Sequence, residues 1–523
     1  MNHSKDIASG SAAQHSLSKW MRGVFLEHPL AIPTAIVAVI LAITRITVLK
    51  FPDDAWVTFL YAQNLADGAG FIFSERYPSW GTTTPLFTLL LASIHNITTI
   101  SIPLLARLID LDAAFAQMII LAVMLNLSGY RRWTAACWLW WSAVIWLPGS
   151  VPGMEYGMYA ALNLGALCAM IHGYWIGAAV LAGFGAITRP DGALIFMFIG
   201  SAWLWKTIRS GSLNKKKAIK FLVALGIVPS LWYSFAIWQF GSMLPQTFET
   251  RRAEAEFWGG FFPFWLKYFL HFPTGNLVFV PALIGMIIAW RRNPATGWLA
   301  AFYVAYVALY SSFGLPGLPQ YFCTLNVLLW FYSTVAVAWL ANYLKDKLTG
   351  GNRLIACLAA WLLVLPFGWQ IYYYSYYNWR NEFTRFEHPW KEDVYFIVGD
   401  WLTQDDRSKM DFATNEIGLL GWLAGEQLIE VGALVNKESL PHLRENKLEN
   451  YILEKEPELV VFPVGNNRLG YPIESKYTRI SELRINDGYA VWVFVRTGML
   501  SDSKEVEWSQ QLQTEYDQLQ LNR

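Results

Sequence analysis

The sequence predicts an α-helical polytopic membrane protein followed by a soluble α/β domain. Three observations lead there. Of 523 residues, 54% are hydrophobic, 16% aromatic and only 15% charged, where an ordinary soluble domain carries roughly 25% charged residues. The charges are unevenly placed, with 41 of the 79 Asp, Glu, Lys and Arg residues after residue 372. Apolar runs of the length that crosses a bilayer, about 20 residues, recur before that point and stop there.

The N-terminal stretch to Glu27 is polar, carries Lys5, Lys19 and Arg22, and is not followed by a small-residue cleavage pattern. It reads as a cytoplasmic tail over residues 1–28 ahead of an uncleaved first span. About eleven spans follow, near 31–50, 104–129, 134–150, 156–172, 174–188, 192–207, 219–240, 276–290, 296–313, 322–344 and 353–372. Alternate loops hold Arg131 and Arg132; Lys206, Arg209, Lys215, Lys216, Lys217 and Lys220; Arg291 and Arg292; and Lys345, Lys347 and Arg353. Short cytoplasmic loops carry the excess of Lys and Arg, so these four clusters mark the cytoplasm. The expected division is a membrane part over 29–372, with a long first outer loop at 52–103, and an extracytoplasmic α/β domain over 373–523. Placement in the cell (inner) membrane follows.

Net charge is +1, which leaves no basic field to recruit nucleic acid. Cys137, Cys168, Cys323 and Cys357 all lie in apolar runs and outline no disulfide framework. In the last third, Leu459–Phe462 and Ala490–Val495 read as strands between helical segments, hence a small α/β domain. The tail from Ser501, rich in Gln, Glu and Asp, is expected to be a loose helix or disordered.

The unusual polar residues collect on the outer side. Asp53 and Asp54 stand at a span boundary, where two adjacent carboxylates suit general-base work; they equally suit the N-terminus of the following helix. That helix continues as Ala55, Trp56, Val57, Phe59, Leu60 and Tyr61, with Gln63 and Asn64 on its other side, and Asp67, Gly68 and Gly70 end it. The turn Gly81-Thr82-Thr83-Thr84-Pro85 precedes a second apolar segment, Leu86–Ile94, too short to cross and expected at the interface. Glu155 follows Gly153 and Met154 where the chain re-enters the membrane, either as a first-turn carboxylate or as part of a site. Arg189-Pro190-Asp191-Gly192 is a tight outer turn whose arginine can hold an internal acid or a lipid phosphate. Pro245-Gln246-Thr247 leads to Arg251 and Arg252, a second candidate phosphate clamp or a solvated face paired with Glu254 and Glu256. Gln320 and Tyr321 end a Gly- and Pro-rich turn, where Gln320 can meet a sugar hydroxyl or cap a helix.

Taken together and in order, these residues resemble the GT-C glycosyltransferases that use polyprenyl-phosphate sugars, and in pattern the arabinofuranosyltransferase-like members. The resembling runs are Asp53-Asp54-Ala55, Tyr61-Ala62-Gln63-Asn64-Leu65, Gly68-Ala69-Gly70, Gly81–Pro85, Gly153-Met154-Glu155, Arg189–Gly192 and Pro245-Gln246-Thr247. Glu416-Ile417-Gly418 and Glu430-Val431-Gly432 in the last third are similar to the family's later acid-Gly elements. Gln320 stands where the family often has Arg, Gln246 replaces Asn, and Glu430 replaces Asp. The resemblance implies a GT-C fold and transfer of a sugar from a polyprenyl-phosphate donor to a glycan, lipid or protein acceptor. It further implies Asp53 or Asp54 as base and substrate contacts from Tyr61, Asn64, Glu155, Arg189, Asp191, Gln246, Thr247, Arg251, Arg252, Gln320 and Tyr321. Membrane lipids are the remaining partners. No cofactor is required, and the outer acidic residues leave room for a divalent cation without ligand spacing that demands one. The rival classes are a transporter or flippase for a lipid-linked sugar and a non-catalytic polysaccharide-assembly subunit.

Overall fold

The computed structural model describes residues 51–134, 153–211, 214–257, 273–312, 323–347, 391–464, 471–486 and 489–521, with a few isolated positions besides. The spans expected at 31–50, 134–150 and 353–372 lie almost wholly outside the described residues, as do Gln320 and Tyr321.

The segment 52–103, expected as the first outer loop and called so below, forms two helices, α1 (Asp53–Ala66) and α2 (Pro85–Thr98). A bundle follows: α3 (Ile102–Leu127), α4 (Tyr156–Ile171), α5 (Trp175–Thr188), α6 (Ala193–Ser210), α7 (Lys215–Phe240), α8 (Gln246–Phe257), α9 (Pro273–Arg292), α10 (Gly297–Ser312) and α11 (Cys323–Lys347). The start and stop signals are local. Pro85 and Pro103 occupy first-turn positions of α2 and α3, where a missing N–H costs nothing, and the Asn214 side chain accepts from the Lys217 amide to open α7. By length and composition Ile102–Leu127, Lys215–Phe240 and Cys323–Leu344 suffice to cross a membrane, and the helices at 85–98, 156–171 and 175–188 are apolar but shorter.

Bundle contacts run α3 against α4, α4 against α5, α5 against α7 and α9 along α11. Two of the four basic loops meet. Asn293 Nδ2 donates to the Leu127 carbonyl at 3.2 Å and the Arg292 guanidinium lies 4.3 Å over the Tyr130 ring. The loops holding Arg131 and Arg291–Arg292 therefore share one end, while Glu155, Arg189 and Asp191 sit at the other.

Beyond residue 391 the chain forms α12 (Lys391–Leu402), β1 (Phe412–Thr414), α13 (Leu419–Ala424), β2 (Leu428–Glu430), α14 (Leu440–Arg444), α15 (Leu448–Lys455), β3 (Leu459–Val464), β4 (Tyr477–Asn486), β5 (Tyr489–Arg496) and α16 (Asp502–Leu521). The strands make one sheet in the order β2-β1-β3-β5-β4. β1 runs parallel to β2 and β3, and the β3–β5 and β5–β4 pairs are antiparallel. One apolar cluster joins Tyr61, Phe73 and Trp80 of the outer loop, Trp232 of α7 and the sheet residues Val461 and Val493. The first outer loop is thus part of the core beneath the sheet.

The tail differs from expectation. It is an ordered helix whose Trp508, Leu512 and Tyr516 are buried. Their spacing of four makes one apolar stripe, which the polar composition of the other faces hid. Trp508 meets Trp401 edge to face at 5.4 Å. Trp508→Ala is expected to cost about 3–5 kcal/mol, read as a lowered thermal midpoint of the full-length protein in detergent. A variant that melts like the wild type would contradict the packing of α16.

Candidate active site

The two aspartates left ambiguous by sequence are separated by the structure. Both lie in the first turn of α1, after Pro52 in an extended conformation that supplies no side-chain cap. Asp53 is 5% exposed. Its Oδ2 accepts the Gly418 amide at 3.0 Å and its Oδ1 the Leu419 amide at 2.9 Å. It therefore caps a distant helix, α13, where exposed amides and the helix dipole favour a carboxylate. Position 418 has to be glycine, because an added Cβ would come within 1.9 Å of the Asp53 carbonyl oxygen. Asp54 is exposed. One turn further along its face of α1 lies Thr58, whose hydroxyl joins those of Thr84 at 3.2 Å and Thr82 at 3.4 Å. The Gly81–Pro85 turn is thereby stitched to the helix that presents Asp54.

Tyr61 and Asn64 hold the same loop. The Tyr61 hydroxyl donates to the Ser79 carbonyl and accepts from the Gly81 amide, each at 2.7 Å, and burial pushes its phenol well above the usual range. Asn64 Nδ2 donates to the carbonyls of Ile72 at 3.0 Å and Phe73 at 2.8 Å. Both side chains are committed to backbone and fix the loop's course.

At the mouth of the bundle remote from Arg131, Arg189 is 6% exposed and lies between two acids. Its Nη1 donates to Glu155 Oε1 in a very short contact, and its Nε donates to Asp191 Oδ1 at 2.8 Å. Tyr306 donates to Asp191 Oδ2 at 2.8 Å, and the guanidinium lies 4.8 Å over the Tyr156 ring. A buried cation persists only when paired in this way. The structure places Glu155, Arg189 and Asp191 in one constellation joining the starts of α4 and α6 to the end of α5, in place of a guanidinium facing an open phosphate site.

Sequence reasoning missed Arg107, Asp110 and Asp112, three charges inside the apolar run of α3. The Gly153 amide donates to Asp110 Oδ2 at 2.6 Å, and the Arg107 guanidinium lies 4.1 Å over the Phe51 ring. Gly153 sits at φ +78, and an added Cβ would strike that ring at 2.3 Å, which explains the glycine of Gly153-Met154-Glu155. The signal was present, since charge inside an apolar span is costly and calls for a partner.

The Gln246 segment binds across to the sheet. The Gln246 amide donates to the Trp80 carbonyl at 2.7 Å and its Nε2 to the Ala433 carbonyl at 3.4 Å; the Thr250 hydroxyl donates to the same carbonyl. Thr247 Oγ1 is buried with no partner among the described residues. Beyond this tie, Arg251 pairs with Glu254 at 2.8 Å and Arg252 is exposed. Glu430 organises the far side. It is fully buried, and its Oε2 accepts the amides of Val435 at 3.3 Å and Asn436 at 3.0 Å. Burial raises its carboxyl to about 7 despite these amides. Asn415, Glu416 and Glu430 thus lie at the carboxyl ends of the parallel strands β1 and β2, the edge where open α/β sheets place their ligands, and Asp53 docks beside them. Among the described residues no three His, Cys, Asp or Glu side chains gather as a metal cage.

No family model matches the chain, and no curated protein matches it by sequence. Solved structures do. The Archaeoglobus fulgidus oligosaccharyltransferase in the apo form aligns over 82% of this chain and 69% of its own, at TM-score 0.56 and 12% identity. The fold is GT-C. Oligosaccharyltransferase AglB from Archaeoglobus fulgidus, in complex with an inhibitory peptide and a dolichol-phosphate, aligns at TM-score 0.54 and 12% identity, over 83% of this chain and 69% of that one. ArnT from Cupriavidus metallidurans bound to undecaprenyl phosphate aligns over 90% of this chain and 98% of its own, at TM-score 0.51 and 11% identity. At such identities what is shared is the fold, mostly helical with one small sheet; it agrees with the expected fold class in that coarse respect, and three of the described helices have the length and composition of a membrane span.

The buried carboxyl of Glu430 gives a pH dependence of known sign. Its folded value, about 7, lies above its ordinary 4.5, so the folded state binds the proton more tightly than the unfolded state. Its contribution to stability is complete below about pH 4.5, declines as pH rises toward about 7 and levels off above. The thermal midpoint of the wild type relative to Glu430→Gln is therefore expected to fall between pH 5 and pH 7.5. A constant difference across that range would contradict a buried, proton-binding Glu430.

Proposed function

We propose that this chain is an integral membrane glycosyltransferase that moves a sugar from a polyprenyl-phosphate donor to a cell-envelope glycan, lipid or protein acceptor at the outer membrane–water interface. The reading rests on one observation above the others. Of two adjacent carboxylates at the membrane boundary, Asp53 is consumed in capping α13 and Asp54 is left exposed beside it. The shared GT-C fold supports the reading, since AglB and ArnT structures carry dolichol-phosphate and undecaprenyl phosphate. The motif order of the first outer loop supports a pentofuranose as the sugar.

In this mechanism Asp54 accepts the proton of the acceptor hydroxyl as its oxygen bonds to the anomeric carbon. The bond from that carbon to the phosphate oxygen breaks, and polyprenyl phosphate leaves with the electron pair. A carboxylate is already ionised at neutral pH, so orientation matters more than a tuned pKa. Arg251 and Arg252 offset the charge growing on the phosphate. Tyr61, Asn64, Gln246 and the Glu155–Arg189–Asp191 constellation act as positioning residues, and Thr247, Gln320 and Tyr321 complete the substrate surface. About eleven spans, with basic loops in the cytoplasm, put the part after residue 372 on the outer face of the cell membrane. The donor's lipid tail then stays in the bilayer while its phosphate reaches α8.

The test uses purified protein in lipid nanodiscs with defined polyprenyl-phosphate sugars, measuring acceptor-dependent release of polyprenyl phosphate. Asp54→Asn is expected to lower turnover by about 10²–10⁴-fold with an unchanged melting midpoint, whereas Asp53→Asn lowers the midpoint as well. Full turnover in Asp54→Asn would sink the base assignment. Lipid movement without bond cleavage by the wild type would identify a flippase.

A further inference from the structure

The end of the bundle remote from Arg189 carries a dense band of positive charge. Lys206 and Arg209 stand in the last turns of α6, and Lys215, Lys216, Lys217 and Lys220 in the first turns of α7. All six are exposed. No Asp or Glu occurs between residues 192 and 248, and among the described residues none of the six is paired with a carboxylate. Cations elsewhere on the surface are paired, as Arg76 is with Asp411, Lys455 with Glu438 and Lys476 with Glu456. Here Lys206 instead lies 4.8 Å over the Trp175 ring and Arg209 5.2 Å over the ring of exposed Trp205. Two contacts fix the helices in register: Trp203 stacks on Phe221 at 4.5 Å, and a Cβ on Gly200 would lie 3.5 Å from Leu225. In that register Lys206 is level with Ala218 and Arg209 with Lys215, so the six charges occupy a band about 8 Å tall. Beyond the band the outward side chains turn apolar, with Leu222, Ile227 and Leu231 exposed on α7 and Met197 on α6.

We propose that this band binds the headgroup phosphates of anionic phospholipids in the leaflet around this end of the bundle. Charge complementarity is the first support: six cations without counter-charge face the layer where phosphates lie, and a zwitterionic headgroup offsets its own phosphate with an ammonium, so the net attraction selects anionic lipids. Height is the second. The polar layer on each side of a bilayer's hydrocarbon core is about 5–8 Å deep, which the band matches, and the exposed apolar surface begins where that layer ends. Exposed Trp205 and Ile208 stand among the charges, at the level where an apolar body and a polar neighbour both find partners. Local cost is the third: Lys215, Lys216 and Lys217 fill the first turn of α7, where the helix dipole disfavours cations, so the helix itself gives no reason for them. The band lies about 27 Å along α6 from the Arg189–Asp191 turn, separate from the candidate active site, and the inference stands whether or not the chain is a transferase. Charges that served only to direct insertion would leave the folded protein indifferent to the headgroup.

The test uses the full-length protein in micelles of a neutral detergent mixed with equal amounts of phosphatidylglycerol and phosphatidylcholine of the same acyl chains, and counts the lipids that stay bound by native mass spectrometry. The wild type is expected to retain phosphatidylglycerol over phosphatidylcholine by about 10-fold or more. The triple variant Lys215→Gln, Lys216→Gln, Lys217→Gln and, on the other helix, the double variant Lys206→Gln, Arg209→Gln should each lower that ratio several-fold, with unchanged melting midpoints in detergent alone. The triple variant Lys215→Arg, Lys216→Arg, Lys217→Arg keeps the charge and should keep the wild-type ratio. So should Arg479→Gln with Arg484→Gln, which removes two cations from β4 of the sheet. Equal retention of the two lipids by the wild type, the result of a role in insertion alone, overturns the proposal, as does a wild-type ratio in both Gln variants. Release of phosphatidylglycerol by millimolar inorganic phosphate at constant ionic strength would assign the band to free phosphate and overturn the lipid assignment.

Discussion

The structure turns on one buried carboxylate. Asp53 receives two backbone amides from Gly418 and Leu419, residues 365 and 366 positions further along the chain. Hydrogen bonds to a charged group contribute roughly 1.5–3 kcal/mol each, and leaving this carboxylate buried without them would cost more than it would gain. The contact therefore holds only in one register. It sets the N-terminus of α1 against the start of α13, and so decides where the neighbouring Asp54 stands relative to the sheet.

Other ties make that register rigid. Gln246 and Thr250 both reach the Ala433 carbonyl, on the loop that Glu430 organises from beneath through the Val435 and Asn436 amides. Thr58, Thr82 and Thr84 lock the outer-loop turn to α1. On the membrane side, the Glu155–Arg189–Asp191 constellation fixes three helix ends to one another. Most of the polar residues near the mouth thus serve geometry. The transfer proposed above, a displacement between a lipid-bound donor and a water-borne acceptor, would gain from such fixed orientation, and the proposal assigns proton and phosphate charge to the exposed side chains Asp54 and Arg252.

The helices were legible because an apolar run of a given length has few alternatives in a membrane. The runs expected at 156–172, 174–188 and 322–344 became Tyr156–Ile171, Trp175–Thr188 and Cys323–Lys347, and the two strands expected in the last third lie within Leu459–Val464 and Tyr489–Arg496. The helix of the tail was among the expected alternatives but its packing was not, because its apolar stripe, Trp508, Leu512 and Tyr516, is one residue per turn among Gln and Glu. Site chemistry was legible by residue type and not by partner. Nothing local to Asp53 says that its partners are amides at 418 and 419, and nothing local to Arg189 says that Glu155 and the Tyr156 ring lie against it. Those pairings arise from long-range packing. Gly418 was the available clue, a glycine following an acid in the last third, and its reason became visible only when the Asp53 backbone was found against it.

The most direct measurement is hydrogen–deuterium exchange on the full-length protein in nanodiscs, following the amides of Gly418 and Leu419 in the wild type and in Asp53→Ala. If Asp53 holds the two parts in register, these amides are protected in the wild type and exchange rapidly in the variant, with the surrounding sheet still protected. Equal protection in both proteins would contradict the account, because the carboxylate would then not be what orders the site.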